Sequence, residues 1–296
     1  MYKVLERVIE NQDILFVQTE NKDLIAKICL NEGGRIVQWY NSGVEVIGEP
    51  KSHTYAYSYA AAILVPFVNR IEGGTYAFKG QQYQLNVNEG GINAIHGLVY
   101  NRYFSLLKID QKDNYTEIHS ENTYLDELVG YPFSFKTKLI YRFGLKSLDI
   151  NIQIENIGNK VLPYNLGWHP YFFVDDLSRS QFEFFGKKAF KTNDVGITRG
   201  SKEMEGEISL ELSRLLDDAF LLEDKPVLLR TNKYQMELIF PDGENFLQVY
   251  TPENENYVAI EPMTGISNSF NNKIGFQELE PNCSISKEWN LNVQRN

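Results

Sequence analysis

The sequence predicts one large, mostly antiparallel β domain of sandwich type, and three observations support this prediction. In SLDINIQIEN, residues 147–156, the apolar Ile150, Ile152 and Ile154 alternate with polar residues. A period of two is typical of a strand with one buried face. Glycine-rich turn signals recur between segments of this kind. Strand–helix alternation, which would indicate a parallel sheet, is missing.

Further strands are predicted where β-forming residues cluster. SFKTKLIYRF covers residues 134–143, and YVAIE covers 257–261 and ends on a carboxylate. Residues 234–240 and 246–251 flank Pro-Asp-Gly-Glu at 241–244, which favours a hairpin turn between them. Helical patterns are scarce. The best is 210–222, where Leu212, Leu215 and Leu216 could share a face, although a loop fits as well.

The length and composition suit a single globular unit. The chain has 296 residues, and 43% of them are hydrophobic, so a large core can form without metal or disulfide staples. No internal repeat, low-complexity tract or linker-like stretch interrupts the sequence. We therefore expect one domain over residues 1–296.

The net charge and the cysteine content limit which binding partners and which cellular compartment we expect. A net charge of −10 argues against binding a nucleic-acid backbone or an anionic membrane. Cys29 and Cys283 are far apart and lack metal-binding spacing, which favours a reducing compartment. No continuous apolar signal segment or long apolar run is present, so we expect a cytoplasmic protein.

Four histidines are the first candidates for proton exchange near neutral pH: His53, His96, His119 and His169. His119 is surrounded by polar residues and is expected at the surface. His53 has no distinctive neighbours. The other two stand in motifs, and a structural role competes with a functional one at each.

His169 lies in LGWHPYFF, where Gly167 permits unusual backbone geometry or close approach, and Pro170 favours an extended histidine. The neighbouring rings could stack on a sugar; they belong to Trp168, Tyr171, Phe172 and Phe173. The alternative is a core strand whose histidine is simply hydrogen-bonded.

His96 and Arg70 are weaker candidates. His96 precedes Gly97 after a glycine-rich approach, so it could point into a cleft or serve only the turn. Arg70 ends the apolar run ILVPFVNR, where it could pair with an internal carboxylate or grip substrate oxygens.

Three carboxylates also stand out. Glu261 ends an apolar strand, and burying a carboxylate is costly unless it is paired or functional. Asp217 and Asp218 in LLDDAFLL are similar, with a helix cap or turn as the structural alternative.

Missing motifs exclude several reaction classes. The chain has no GxSxG elbow for a serine hydrolase, no HExxH or paired CxxC for zinc, and no GxGxxG or P-loop. Glycoside hydrolysis needs two acids and no histidines. Proton transfer remains as the reaction class that the residues favour.

Four motifs together resemble the aldose 1-epimerase (galactose mutarotase) family. The run VPFVNRIEGGTYAFKGQQYQLNVNEGGINAIHG resembles its Asn-Arg, Gly-x-Tyr, Gly-x-x-Tyr-x-Leu, Asn and His-Gly pattern. LGWHPYF, LLDDAF and YVAIEP resemble its histidine motif, its aspartate loop and its glutamate strand. The motifs occur in family order across almost the whole chain.

This resemblance implies the family's large twisted antiparallel β-sandwich and a cofactor-free mutarotase acting on a monosaccharide, as a monomer or homodimer. It implies that Glu261 is the general base and His169 the general acid of ring opening. Arg70, His96 and Asp217 would bind the sugar, although Asp218 leaves the register of the aspartate open. No metal or organic cofactor is implied.

Two alternatives remain at this point. Hexose-6-phosphate 1-epimerase shares the fold but requires basic residues that converge on a phosphate. A non-catalytic carbohydrate-binding sandwich would keep the aromatic residues without needing both His169 and Glu261. Met263 and Thr264 differ from the residues typical of galactose mutarotases, so the resemblance leaves the sugar open.

Overall fold

The structure is a computed structural model that describes residues 1–296, and nearly all of its regular elements are β-strands. In the first half of the chain the strands are β1 (Tyr2–Ile9), β2 (Gln12–Thr19), β3 (Leu24–Cys29), β4 (Arg35–Asn41), β5 (Val44–Ile47), β6 (Ala62–Leu64), β7 (Arg70–Glu72), β8 (Thr75–Phe78), β9 (Gln81–Gln84), β10 (Asn93–Ile95), β11 (Ser105–Gln111), β12 (Tyr115–Tyr124), β13 (Phe135–Gly144) and β14 (Ser147–Asn156). In the second half they are β15 (Leu162–Tyr164), β16 (Gly167–His169), β17 (Tyr171–Phe173), β18 (Gln181–Thr192), β19 (Thr198–Glu203), β20 (Glu207–Leu210), β21 (Asp217–Leu222), β22 (Val227–Arg230), β23 (Tyr234–Ile239), β24 (Phe246–Tyr250), β25 (Tyr257–Met263), β26 (Gln277–Leu279) and β27 (Ser284–Arg295). The two helices, α1 (Tyr55–Ser58) and α2 (Ser269–Asn272), are one turn each.

The strands form two antiparallel layers. In the first layer the neighbours run β1, β2, β3, β4, β5, β17, β25, β24, β21, β18 and β19. In the second they run β11, β12, β13, β14, β27, β23, β22, β18 and β20. Strand β18 belongs to both layers and links them. The predicted all-β sandwich is confirmed.

Period-two patterning explains how the layers share a core. Strand β14 alternates between half-buried and buried residues along its whole length, with Ile150, Ile152 and Ile154 fully buried. Alternate side chains of a strand lie on opposite faces, so these isoleucines face the opposing layer. The main core contains 60 buried residues between Tyr2 and Val293.

Two local predictions are wrong. The turn at 241–244 does not join a hairpin, because β23 pairs with β22 and β27 while β24 pairs with β21 and β25. The turn therefore carries the chain from one layer to the other.

The segment 210–222 is not helical. It holds the end of β20 and the whole of β21, which pairs with β18 and β24. Leu212 and Leu216 are buried but Leu215 is 67% exposed, so the three leucines do not share a face. Pairing with neighbouring strands outweighs a weak local helical pattern.

Both helices are far too short and polar to serve as a membrane span, and no other helix occurs.

Candidate active site

A cavity of about 280 Å³ opens on the first layer and brings all five predicted site residues together. Strands β16, β25 and β21 supply His169, Glu261 and Asp217. Arg70 begins β7, and His96 follows β10, which pairs with β7. Residues more than 190 positions apart in the sequence therefore line one concave surface.

His169 lies in the middle of the sheet, where its strand passes very close to its neighbours. Strand β16 pairs with β6, so that His169 opposes Ala62 and Gly167 opposes Leu64. A Cβ atom on Gly167 would lie 2.8 Å from Val68 Cγ1, so glycine is required for this packing. The close approach at this glycine is made by neighbouring side chains, and its backbone conformation is ordinary.

Glu261 lies beside His169, and both belong to the floor of the cavity. Nε2 of His169 is 3.3 Å from Oε1 of Glu261. The two residues are only 5% and 2% exposed. His169 Nδ1 and Glu261 Oε2 have no hydrogen-bond partner in the protein. The two side chains are therefore adjacent, and each retains one buried polar atom without a partner in the protein.

Burial acts on the two groups in opposite directions. It raises the pKa of Glu261 well above its ordinary value, and the nearby Asp217 raises it further, while Arg70 opposes the rise. Burial lowers the pKa of His169 to about 4. The positive charge of Arg70 adds to this lowering of the His169 pKa, and a backbone hydrogen bond opposes it.

His96 stands at a left-handed turn, with φ of 63°. Its ring packs edge-on against that of His169, with centroids 5.0 Å apart, and against Tyr59 at 4.8 Å. Burial lowers the pKa of His96 well below its ordinary value, with His169 and Arg70 adding to the effect. The imidazole is therefore uncharged near neutral pH, and its Nδ1 has no partner in the protein.

Arg70 is held mainly by one carboxylate. Its Nε donates to both oxygens of Glu89, at 2.8 and 3.0 Å, and its Nη2 lies 2.8 Å from Glu89 Oε1. Its Nη1 lies 3.8 Å from Asp217 Oδ2. A Cβ atom on Gly196, whose φ is 73°, would lie 2.5 Å from Nη1. The glycine thus lets a backbone turn cover the guanidinium and fix its orientation.

Asp217 is the aspartate that lines the cavity; Asp218 does not. The two are successive residues of β21 and so lie on opposite faces of the sheet. Gln248 Nε2 donates to Asp217 Oδ1 at 2.6 Å, and Asn69 Nδ2 donates to Gln248 Oε1 at 3.2 Å. This chain of amides orients the Asp217 carboxylate.

The expected aromatic lining is only partly correct. Tyr171 lines the cavity, and its ring is stacked on that of His169 at 5.2 Å. Trp168 and Phe172 are fully buried in the core, and Phe173 lies outside the cavity. Strand alternation explains this, because Trp168 and Phe172 face away from His169 and Tyr171.

Several cavity residues were not predicted from sequence: His53, Tyr59, Glu89 and Gln248. Gln248 opposes Glu261 across β24 and β25, a pairing that cannot be read without the strand order. Glu89 was detectable only as an acid in the glycine-rich approach to His96. His119 is far from the cavity on β12, where Nε2 lies 3.0 Å from Glu117 Oε2.

Comparison with known proteins identifies the family. The family model described as aldose 1-epimerase matches residues 16–291. The chain belongs to the aldose 1-epimerase family. Membership places it among the carbohydrate epimerases, a class of isomerases.

Relatives within this family are distant. The uncharacterised Escherichia coli K12 protein YihR is 24% identical over 278 residues, covering 89% of this chain and 88% of that protein. Galactose mutarotase from Sus scrofa is 28% identical over 124 residues, covering 42% of this chain and 35% of that enzyme.

Solved structures agree with the fold of this aldose 1-epimerase family member. A galactose mutarotase-like protein from Clostridium acetobutylicum superposes with a TM-score of 0.87 at 20% identity, covering 100% of this chain and 99% of the other. Galactose 1-epimerase from Lactobacillus acidophilus gives 0.81 at 15% identity, with coverage of 100% and 99%. At these identities the likeness shows the fold alone.

Proposed function

We propose that the protein is an aldose 1-epimerase that interconverts the α and β anomers of an uncharged monosaccharide through Glu261 and His169. The observation that carries the proposal is the contact between these side chains at the floor of the cavity. O1 and O5 of a pyranose are bonded to the same carbon atom. Two adjacent proton-exchanging groups can therefore serve both oxygens.

The proposed cycle moves one proton out of the sugar and one into it. The Glu261 carboxylate accepts the O1 proton while the protonated His169 donates to O5. The C1–O5 bond breaks, with its electrons going to O5, and the electrons of the O1–H bond form the C1–O1 double bond. Rotation about C1–C2 presents the other carbonyl face. Reclosure returns both protons and yields the opposite anomer.

The pKa directions show which proton arrangement of the pair burial favours. Ring opening leaves Glu261 protonated and His169 neutral, which are the forms that burial favours. The starting pair, an anionic carboxylate beside a cationic imidazole, holds the same number of protons. Burial therefore favours the proton arrangement of the ring-opened state over that of the reactive starting pair, and ring closure returns both protons.

Three further residues would hold the sugar. An uncharged His96 can hydrogen-bond a ring or hydroxyl oxygen without adding charge. Asp217 can accept hydrogen bonds from hydroxyl groups, and Arg70 Nη1 can donate one. Tyr171 packs against the His169 ring and so helps to hold the imidazole in the cavity wall.

Charge distribution argues against the hexose-6-phosphate alternative. Apart from the histidines, Arg70 is the sole cationic side chain among the cavity-lining residues, and it already forms an ion pair with Glu89. The lining also contains Asp217 and Glu261. A phosphate group would meet three carboxylates and a single arginine whose charge Glu89 already neutralises, which is unfavourable.

A purely binding role is also less well supported. Placing an imidazole and a carboxylate together below a sugar-sized cavity costs desolvation, which a binding module has no need to incur. Catalytic proton exchange accounts for both groups.

The test is anomer exchange by the unmodified protein, followed by polarimetry or by NMR magnetisation transfer, with the spontaneous rate subtracted. The panel is glucose, galactose, xylose and glucose 6-phosphate. We expect faster exchange of at least one neutral sugar and little effect on the phosphorylated one. Absence of exchange on the whole panel contradicts the proposed activity. Preference for glucose 6-phosphate contradicts the proposed substrate class.

A further inference from the structure

A buried arginine at the start of β4 lies close to the cavity but outside it. The side chain of Arg35 is only 4% exposed and does not line the cavity. Its Nε donates to Glu32 Oε2 at 2.8 Å, and its Nη1 lies 2.7 Å from Glu49 Oε1. The guanidinium carbon lies 3.9 Å from the centre of the Tyr55 ring. Burial opposes the positive charge, but the two carboxylates outweigh it and raise the pKa of Arg35.

Arg35 also holds the backbone between helix α1 and strand β6. Its Nη1 donates to the Ala60 carbonyl at 3.2 Å. The residues on either side, Tyr59 and Ala61, have φ of 50° and 55°, in the left-handed region that residues other than glycine rarely adopt. Such a backbone persists only where its surroundings hold it. The hydrogen bond from the guanidinium therefore reaches the residue between the two strained ones.

Residues 58–61 in turn support His169 from two sides. The N–H of Ala61 donates to the His169 carbonyl at 2.8 Å. The Tyr171 hydroxyl donates to the Ser58 carbonyl at 3.2 Å. The ring of Tyr171 is stacked on that of His169, with centroids 5.2 Å apart. A continuous series of contacts therefore joins the buried guanidinium to the proposed general acid.

We infer that Arg35 is a positioning residue of the proposed epimerase: it holds residues 58–61 in place, and these residues keep the His169 imidazole packed against its proton-transfer partner. The inference rests on the proposed function, because it concerns the general acid of that reaction. Arg35→Lys retains a positive charge, but an ammonium group cannot match the planar fork that contacts two carboxylates and a carbonyl together. The substitution should therefore loosen the segment without leaving the carboxylates uncompensated.

The experiment measures anomer exchange of the preferred neutral sugar by the unmodified protein, Arg35→Lys, Glu49→Ala and the control Arg142→Lys. Arg142 is a matched control, since it also contacts two carboxylates, Glu117 and Asp149, and a tyrosine ring, but lies on β13 in the second layer. We expect Arg35→Lys to lower kcat about tenfold and Glu49→Ala to lower it about threefold, while KM stays within about twofold. Arg142→Lys should change neither constant.

The pH profile separates positioning from a simple loss of folded protein. Four titratable groups lie around the imidazole of His169: Glu261, His96, Arg70 and Tyr171. Burial lowers the pKa of His169 to about 4. Because Arg35→Lys should let water reach the imidazole, the acidic fall of kcat/KM should shift from about pH 4 towards the ordinary histidine value of about 6.5. A loss of folded protein alone would lower the activity and leave the position of that fall unchanged.

Each variant is first shown to be folded by its circular dichroism spectrum. A folded Arg35→Lys variant whose kcat and acidic fall match those of the unmodified protein overturns the inference and leaves the proposed function standing. Equal effects of Arg35→Lys and Arg142→Lys do the same. If Arg35→Lys does not fold, an unchanged kcat and pH profile in Glu49→Ala overturns the inference. Absence of exchange by the unmodified protein instead overturns the proposed function, and the inference with it.

Discussion

Nε2 of His169 lies 3.3 Å from Oε1 of Glu261, and both side chains are almost fully buried beneath a cavity open to solvent. An isolated charge in such a place is costly, but the two groups together can hold one proton and stay neutral overall. The pair can therefore be treated as one titrating unit.

The pH dependence of kcat/KM should report this unit. A second proton enters when His169 is protonated beside an already neutral Glu261, and the pKa of His169 is lowered to about 4. The single proton is lost as the pH rises through the pKa of Glu261, which burial raises well above its ordinary value. We expect kcat/KM to be constant over a plateau. It should fall on the acidic side as the pH drops to about 4, and on the alkaline side as the pH rises through the raised pKa of Glu261. A rate that declines steadily from pH 4 to pH 6 would contradict the shared-proton description.

Stability should also depend on Glu261 in a defined direction. Because its folded pKa is raised, its favourable contribution is complete below the unfolded pKa and is lost as the pH rises through the folded pKa. Glu261→Gln removes the ionisable carboxyl group, and with it the loss of folding stability that accompanies ionisation of Glu261 at higher pH. The Tm of the variant, measured by calorimetry, should exceed the unmodified Tm by more at pH 8 than at pH 4.5.

Glu117→Gln is the matched control for that measurement. Burial opposes ionisation of Glu117, but hydrogen bonds from Arg142 and His119 outweigh it and lower its pKa. Its contribution is present above the unfolded pKa and is lost on acidification. This variant should therefore lose stability at pH 8. Equal pH dependence in both variants would contradict the assigned environments.

Much of the fold could be predicted because apolar and polar residues alternate along the strands with a period of two residues. The sequence of β14 predicts its buried face, and the burial of Ile150 and Ile152 confirms it. The partner of each strand was not readable, since pairing depends on contacts between distant segments. This is why residues 241–244 were expected to join a hairpin when they join the two layers.

The candidate site shows the same division. His169 and Glu261 stand in distinctive local settings, so their sequence neighbourhoods single them out. Gln248 and Glu89 do not, because their roles depend on the strand opposite Glu261 and on the position of the Arg70 guanidinium. Without the strand register, Trp168 was expected to stack on a sugar, whereas the alternation of the strand places it in the core.

Glu89 is expected to orient Arg70 and to exclude anionic sugars. Glu89→Gln removes the carboxylate that pairs with the Arg70 guanidinium. Because Arg70 then loses its fixed position, kcat/KM for a neutral sugar should fall by about tenfold or more. Inhibition by glucose 6-phosphate should become stronger, because a cation is freed and one negative charge is lost. Steady-state kinetics with and without that phosphate measure both effects. Unchanged inhibition would contradict the assigned role.

Asp217 and its neighbour provide a matched comparison for sugar binding. Asp217 lines the cavity and accepts a hydrogen bond from Gln248, whereas Asp218 lies on the other face of β21. Asp217→Asn should raise KM about tenfold through weaker hydrogen bonds to hydroxyl groups. Asp218→Asn should stay within about twofold. Equal effects of the two substitutions would show that the cavity-facing position is not the one that binds sugar.

The central claim, proton exchange through His169 and Glu261, is tested most directly by NMR magnetisation transfer between the α and β anomers of the preferred neutral sugar. The comparison uses the unmodified protein, His169→Gln, Glu261→Gln and the control His119→Gln, each shown to be folded by its circular dichroism spectrum. We expect exchange above the spontaneous rate to fall by about 10²–10⁴-fold in the first two variants and to be unchanged in the control. Exchange that persists at the unmodified rate in folded His169→Gln and Glu261→Gln would contradict the claim.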